Sequence, residues 1–140
     1  MTDGIDARYR EGDSAERIAV LQELNRRASA TTPLPEDERA IGVGLVRDAL
    51  RSNDPRLVAA AMGAFAGRHL GDHDWRHGVV KLVFMEVPLT AVDRLADRRD
   101  AELERMADDL AEEREAAGRP VPDDLRSLLP AARAPREEAR

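Results

Sequence analysis

The chain has 140 residues, a formal net charge of −6 and a pI of about 5.1. It contains no cysteine, which excludes disulfides, thiolate metal sites and cysteine nucleophiles. The acidic balance and a single Trp, a single Tyr and two Phe argue against nucleic-acid binding, because neither counterion release nor base stacking is well supplied.

The length fits one domain with a real core. Charged residues make up 36% of the chain, but they alternate with Leu, Val and Ala at helical spacing, which describes charged helix faces and not a disordered polyampholyte. The first residues, MTDGIDARYREGD, lack the apolar run of a secretory leader. The longest apolar stretch, Val79 to Leu89, is too short and interrupted to span a bilayer. A soluble, cytoplasmic protein is expected.

Residues 1–12 show no periodic pattern and read as a flexible tail. Asp13 or Ser14 then caps a first helix, with Glu16 completing a capping-box-like arrangement. Ile18, Leu21, Leu24 and Ala28 recur on one face of it. Thr31 to Pro35 break that helix, and Pro35 with Glu36, Asp37 and Glu38 opens a second one. The second helix runs to about Arg51. Its Gly42 and Gly44 lower helix propensity, which points to close packing against a neighbour. Asp54-Pro55 is the sharpest start signal, an N-cap followed by proline at the first position. The third helix carries Leu57, Val58, Ala61, Met62 and Phe65, and ends between Gly67 and Gly71.

The stretch from Asp74 to Leu95, DWRHGVVKLVFMEVPLTAVDRL, holds the only Trp and the only Lys. A fourth helix is expected from Asp72 or Asp74 to just before Pro88. Val79 to Val87 is apolar nearly all round except at Lys81 and Glu86, so enclosure on several sides is predicted. Pro88 opens a short fifth helix through Leu89, Val92 and Leu95. A long amphipathic helix starts near Asp100, carries Leu103, Met106, Ala107 and Leu110 inward, and stops at Gly118 before Pro120. Residues 119–140 are Pro-rich and read as a largely disordered tail, with one short helix over 123–129 packing Leu125, Leu128 and Leu129 if it docks. The single helical domain is therefore placed at 13–118.

No segment alternates with the period of a strand. The fold class is all-α, with about six helices in antiparallel pairs. Leu50, Asp54, Leu57 and Ala61 are echoed by Leu95, Asp100, Leu103 and Ala107, a shift of about 45 residues that suits a HEAT-like stack. A compact helical bundle of hairpins accounts for the same echo.

Of 22 basic residues all but Lys81 are arginine, and lysine differs in being a compact, titratable ammonium. Asp74, His77 and Lys81 share one stripe of the fourth helix by their spacings of three and four. That stripe either faces water or forms the floor of a groove for an anion or a partner carboxylate, flanked by Arg76 and walled by Trp75. His69, His73 and His77 are spaced four apart with Asp72 and Asp74 between them. Such sets suit zinc or iron, but Gly71 puts a helix boundary through the ladder, so they are weak metal candidates beside the plain reading of surface histidines. The run DDLAEERE, Asp108 to Glu115, reads as a solvated helix face, with docking of a basic partner as the alternative. No phosphate loop, Ser-His-Asp grouping or HExxH motif is present, so no catalytic residue is assigned and no cofactor is expected.

The segments ALRSNDPRLVAAAMGAFAGRHL, DWRHGVVKLVFMEVPLTAVDRL and DAELERMADDLAEEREAAGRPVPDD, from about Ala49 to Asp124, resemble a short actinobacterial-type member of the EboA-domain family. The W-R-x-G-V-x-K-x-x-F-M-x-V-P-L pattern is the most specific part. The resemblance implies an α-helical protein encoded beside a UbiA-like prenyltransferase, hydrolase-like and isomerase-like TIM-barrel proteins and a phosphatase-like protein. Such clusters make or export secondary metabolites or their precursors. It brings no catalytic residues with it, and makes Trp75, Arg76, Lys81, Pro88 and Leu89 candidates for importance. The expected role is a non-enzymatic accessory or adaptor protein whose partners are proteins or a metabolite precursor of the same cluster. The alternative is a small-molecule carrier or enzyme using a helix-lined pocket at Asp74, His77 and Lys81. Nothing in the residues indicates the oligomeric state.

Overall fold

The computed structural model describes residues 2–130, with side chains from Gly4 onward. All regular structure among them is helical, as expected, and it divides into two compact units between Leu95 and Ala96.

The first unit opens with α1 (Thr2–Glu11), where a flexible tail was expected. Ile5 and Tyr9, one turn apart, are its buried residues and lie 6% and 1% exposed. Two apolar side chains in a polar ten-residue segment cannot hold an isolated helix. Here α1 lies against α2 (Ser14–Ala28) and α3 (Glu36–Ala49). Arg8 pairs with Glu16 and Glu23 of α2, each at 3.1 Å. Arg17 donates from Nε to the Tyr9 carbonyl at 2.9 Å and lies over the Tyr9 ring.

Helix α2 starts as the sequence indicates, with the Asp13 carboxylate accepting from the Glu16 amide at 2.9 Å. It is the hub of this unit: it packs against α1, α3, α4 (Pro55–Ala61) and α5 (Ala64–His69), burying Val20, Leu21, Leu24 and Ala28. The helix expected over residues 55–67 is in fact two, interrupted at Met62 and Gly63. Asn25 of α2 reaches both sides of the break. Its side-chain amide donates to the Ala60 carbonyl at 3.0 Å, and its oxygen accepts from the Phe65 amide at 2.9 Å. One side chain thus satisfies a carbonyl near the end of one helix and an amide at the start of the next.

Only one of the two α3 glycines is a packing glycine. A Cβ at Gly42 would sit 2.5 Å from Cζ of buried Phe65, whereas a Cβ at Gly44 would meet nothing within 4 Å. The expectation of close packing therefore holds at Gly42 and fails at Gly44, which is exposed.

Helix α6 (Asp72–Phe84) buries Trp75, Gly78, Val79, Leu82 and Val83 and packs on α4 and on a short 3-10 turn, Leu89–Ala91. It ends earlier than Pro88 requires. Glu86 takes a left-handed conformation, φ 62°, its amide bonds the Val83 carbonyl at 3.0 Å, and the Val87 amide bonds the Leu82 carbonyl at 2.9 Å. This is a Schellman ending without glycine. The early stop leaves Phe84 65% exposed, so the expected enclosure of Val79 to Val87 is incomplete on that side.

α7 (Leu95–Arg98) spans the division between the units. In the second unit, α8 (Ala101–Ala116) is capped by Asp100, whose carboxylate accepts from the Leu103 amide at 2.9 Å. Its buried face is Leu103, Ala107, Ala111 and Arg114, whose guanidinium donates from Nη1 to the Pro120 carbonyl at 3.3 Å. Met106 and Leu110, expected inward, are only half-buried. Gly118, at φ 72°, closes α8 by the same Schellman pattern as Glu86. Residues 119–130 are not a loose tail: α9 (Asp123–Leu128) packs on α8 and buries Leu125 and Leu128, with Leu129 beside them. The remainder of the expected tail, 131–140, lies outside the described residues. The Asp54–Asp100 echo is realised at the caps of α4 and α8, but Leu50 ends a helix while Leu95 begins one.

Candidate functional site

The polar stripe of α6 meets the C-terminal end of α3 at two points. The first turn of α6 places Asp74 3.2 Å from Nε of Arg47, in the last turn of α3. The helix dipoles favour each charge where it stands. Arg47 is more than half exposed, so the pair contributes about 1 kcal/mol or less. Two turns further along α6, Lys81 Nζ donates to the Leu50 carbonyl at 2.5 Å. Leu50 is the C-cap of α3, where carbonyls lack intrahelical partners. Lys81 is half-buried, reaching inward and not into bulk solvent.

Trp75 is 1% exposed and belongs to the core; it is not the wall of an open groove. Arg76 is half-buried and His77 exposed. His77 Nδ1 lies 3.2 Å from the His73 carbonyl, and the two imidazoles are tilted by 38° with centroids 4.4 Å apart. His69 does not complete their ladder. It ends α5, with its ring 4.9 Å from Phe65. Among the described residues no group of three or more His, Asp or Glu is placed to hold a metal ion.

A second site was not foreseen. Where α2 ends, the chain turns through residues 30–34 into α3, and the end of α5 closes the space. The result is a cavity of about 190 Å³ lined by Arg27, Arg39, Arg68, His69, Thr31 and Thr32, with Ala28, Pro33 and Leu34 as apolar surface and no acidic lining residue. Glu38 pairs with Arg27 at 2.5 Å, and the exposed Glu36 lies 3.8 Å from Arg39. Burial, then Arg39 and Arg68, push the His69 pKa below its ordinary value. His69 entered the sequence reading only as a weak metal ligand. The arginines carried no signal, because arginine is the usual base of this chain and they come from three separate helices.

A family model described as metabolite traffic protein EboA matches residues 3–130. The chain belongs to the EboA family. The match takes in α1 and α9, both beyond the 13–118 limits expected for the EboA-like domain, and it covers both units. Neither curated proteins nor solved structures match this EboA-family chain. No helix among its described residues is long and apolar enough to cross a membrane.

Proposed function

We propose that this EboA-family chain is a non-enzymatic accessory protein of metabolite traffic, acting in the cytoplasm by binding partners or a precursor belonging to a secondary-metabolite gene cluster. The observation that carries this reading is the family match across residues 3–130. The geometry agrees with a binding role: the polar groups of α6 join helices to one another, and a cationic cavity opens between α2, α3 and α5. The test is crosslinking and affinity capture of the tagged chain from its native host, with mass spectrometry of captured proteins and small molecules. Enrichment of products of neighbouring genes, or of the metabolite they make, supports the role. Capture of neither, at native expression, refutes it.

A second reading makes Asp74, His77 and Lys81 the floor of a small-molecule carrier or enzyme pocket. Its support is the inward course of Lys81. The Leu50 carbonyl and Arg47 already occupy Lys81 and Asp74, which favours the accessory role.

A further inference from the structure

We infer that the cavity between the end of α2, the 30–34 turn, Arg39 of α3 and the end of α5 is a binding site for a phosphoryl anion, either inorganic or the terminal group of a small phosphorylated metabolite. The inference goes beyond the traffic role and does not depend on it.

The charge argument comes first. Arg27, Arg39 and Arg68 converge on one cavity of a chain whose net charge is −6, and no lining residue is acidic. Only Arg27 has a close carboxylate partner, Glu38. Glu36 lies 3.8 Å from Arg39 and is 89% exposed, so it neutralises little. Arg68 has no ion pair among the described residues. The C-terminal ends of α2 and α5 supply lining residues, among them Ala28 and His69, and the partial negative charge of a helix C-terminus subtracts from the cationic field there. The guanidinium excess survives that sum.

Chemistry and size then select the ligand class. Arg39 and Arg68 are the two guanidinium groups without a close carboxylate partner, and a monocarboxylate would leave one of them uncompensated. A phosphoryl or diphosphoryl group carries two or more charges and presents oxygens that planar guanidinium forks bind in bidentate fashion. Thr31 and Thr32 add hydroxyl donors. The cavity, about 190 Å³, is below the ~300–1,000 Å³ of pockets for drug-sized ligands. It takes a small anion, or the anionic end of a longer molecule laid against Ala28, Pro33 and Leu34. His69, whose proton is disfavoured by Arg39 and Arg68, becomes easier to protonate once an anion offsets them.

The full chain should be titrated calorimetrically at constant ionic strength with phosphate, pyrophosphate, octyl phosphate and acetate. Saturable binding of the phosphoryl compounds and none of acetate is expected, and Arg39→Gln and Arg68→Gln should each weaken it about tenfold or more. Arg105→Gln, on α8 and outside the cavity lining, should leave it unchanged. Tighter octyl phosphate than phosphate identifies a phosphorylated metabolite as the ligand, and the reverse identifies the free anion. Both Arg variants change exposed side chains, and the wild-type imidazole spectrum supplies a readout without substitution: pyrophosphate should move the His69 resonances and not those of His77. No saturable binding, equal binding of acetate, equal weakening by Arg105→Gln, or unmoved His69 resonances would each overturn the site.

Discussion

Lys81 and Leu50 are joined by a hydrogen bond from the ammonium of α6 to the last carbonyl level of α3. The only lysine of the chain therefore closes a helix end, and Asp74 with Arg47 fastens the same two helices two turns away. A Lys81→Met variant keeps most of the apolar stem but leaves the Leu50 carbonyl without its charged donor. It should lose about 1–3 kcal/mol, read as a lower urea midpoint at unchanged slope. A midpoint equal to wild type would show that the bond contributes nothing and would return Lys81 to the list of ligand-binding candidates.

The two α3 glycines make a paired comparison. Gly42→Ala drives a methyl into the ring of Phe65, which is 1% exposed and has little room to yield. A loss of about 1–3 kcal/mol follows from overpacking. Gly44→Ala meets open space and should gain about 0.5–1 kcal/mol from helix propensity. Thermal unfolding of both variants checks the opposite signs, and equal shifts in one direction would contradict the packing described.

Helices α6 and α8 end in the same Schellman geometry, one on Glu86 and the other on Gly118. A left-handed conformation costs a residue with a Cβ about 1 kcal/mol or more, and glycine largely escapes it. Glu86→Gly should therefore stabilise the chain by about 1 kcal/mol or less, since the freer unfolded chain offsets part of the gain. Gly118→Ala should be destabilising. A stabilised Gly118→Ala variant would be incompatible with the φ of 72° at that position.

Caps and proline signals made Asp13, Pro35, Asp54 and Asp100 legible, because each acts within a few residues of itself. The all-helical class followed from apolar spacing. What sequence reasoning missed depends on distant partners. Helix α1 rests on Tyr9 and Ile5 meeting α2 and α3, and the break between α4 and α5 is held by Asn25, 35 residues before Ala60. The α6 stripe stands out in the sequence, but its spacing could not reveal that Lys81 meets the Leu50 carbonyl. The cationic cavity was illegible for a similar reason: Arg27, Arg39 and Arg68 belong to three helices and no local pattern relates them.

His69 makes the fold sensitive to mild acid. Its folded pKa lies below the ordinary 6.5 because of burial, Arg39 and Arg68, and Arg27 also lines the cavity it faces. As pH falls through 6.5 the unfolded chain takes up a proton that the folded chain resists. Stability is thus complete above that range and declines until the folded pKa is passed. Urea midpoints between about pH 7.5 and pH 5.5 should fall more in the wild type than in His69→Gln. Parallel profiles would show that the imidazole does not feel its two arginines. Saturating pyrophosphate should shrink the wild-type decline if the cavity binds it.

The single tyrosine tests α1 without any substitution. Burial, then the Asp48 carboxylate, raises the Tyr9 pKa from 10.0 to about 12, against smaller opposing effects of Arg17 and Arg10. Absorbance of the ionised phenol reports this residue alone, because the chain has one Tyr. A midpoint well above 10 is expected while far-UV dichroism remains native, and a midpoint near 10 would mean that residues 1–12 are the loose tail that their sequence suggests. The sign of the linkage gives a second reading. Between pH 10 and about 12 the unfolded chain has lost a proton that the folded chain retains, so stability should fall as pH rises through that window. Tyr9→Phe keeps the ring and removes the titrating group, and should abolish that part of the alkaline loss. Tyr9→Ala removes the ring that α1 contributes to the core and should cost about 3–5 kcal/mol at neutral pH. If α1 docks as described, that variant also exposes residues 1–12 to proteolysis while the phenylalanine variant does not.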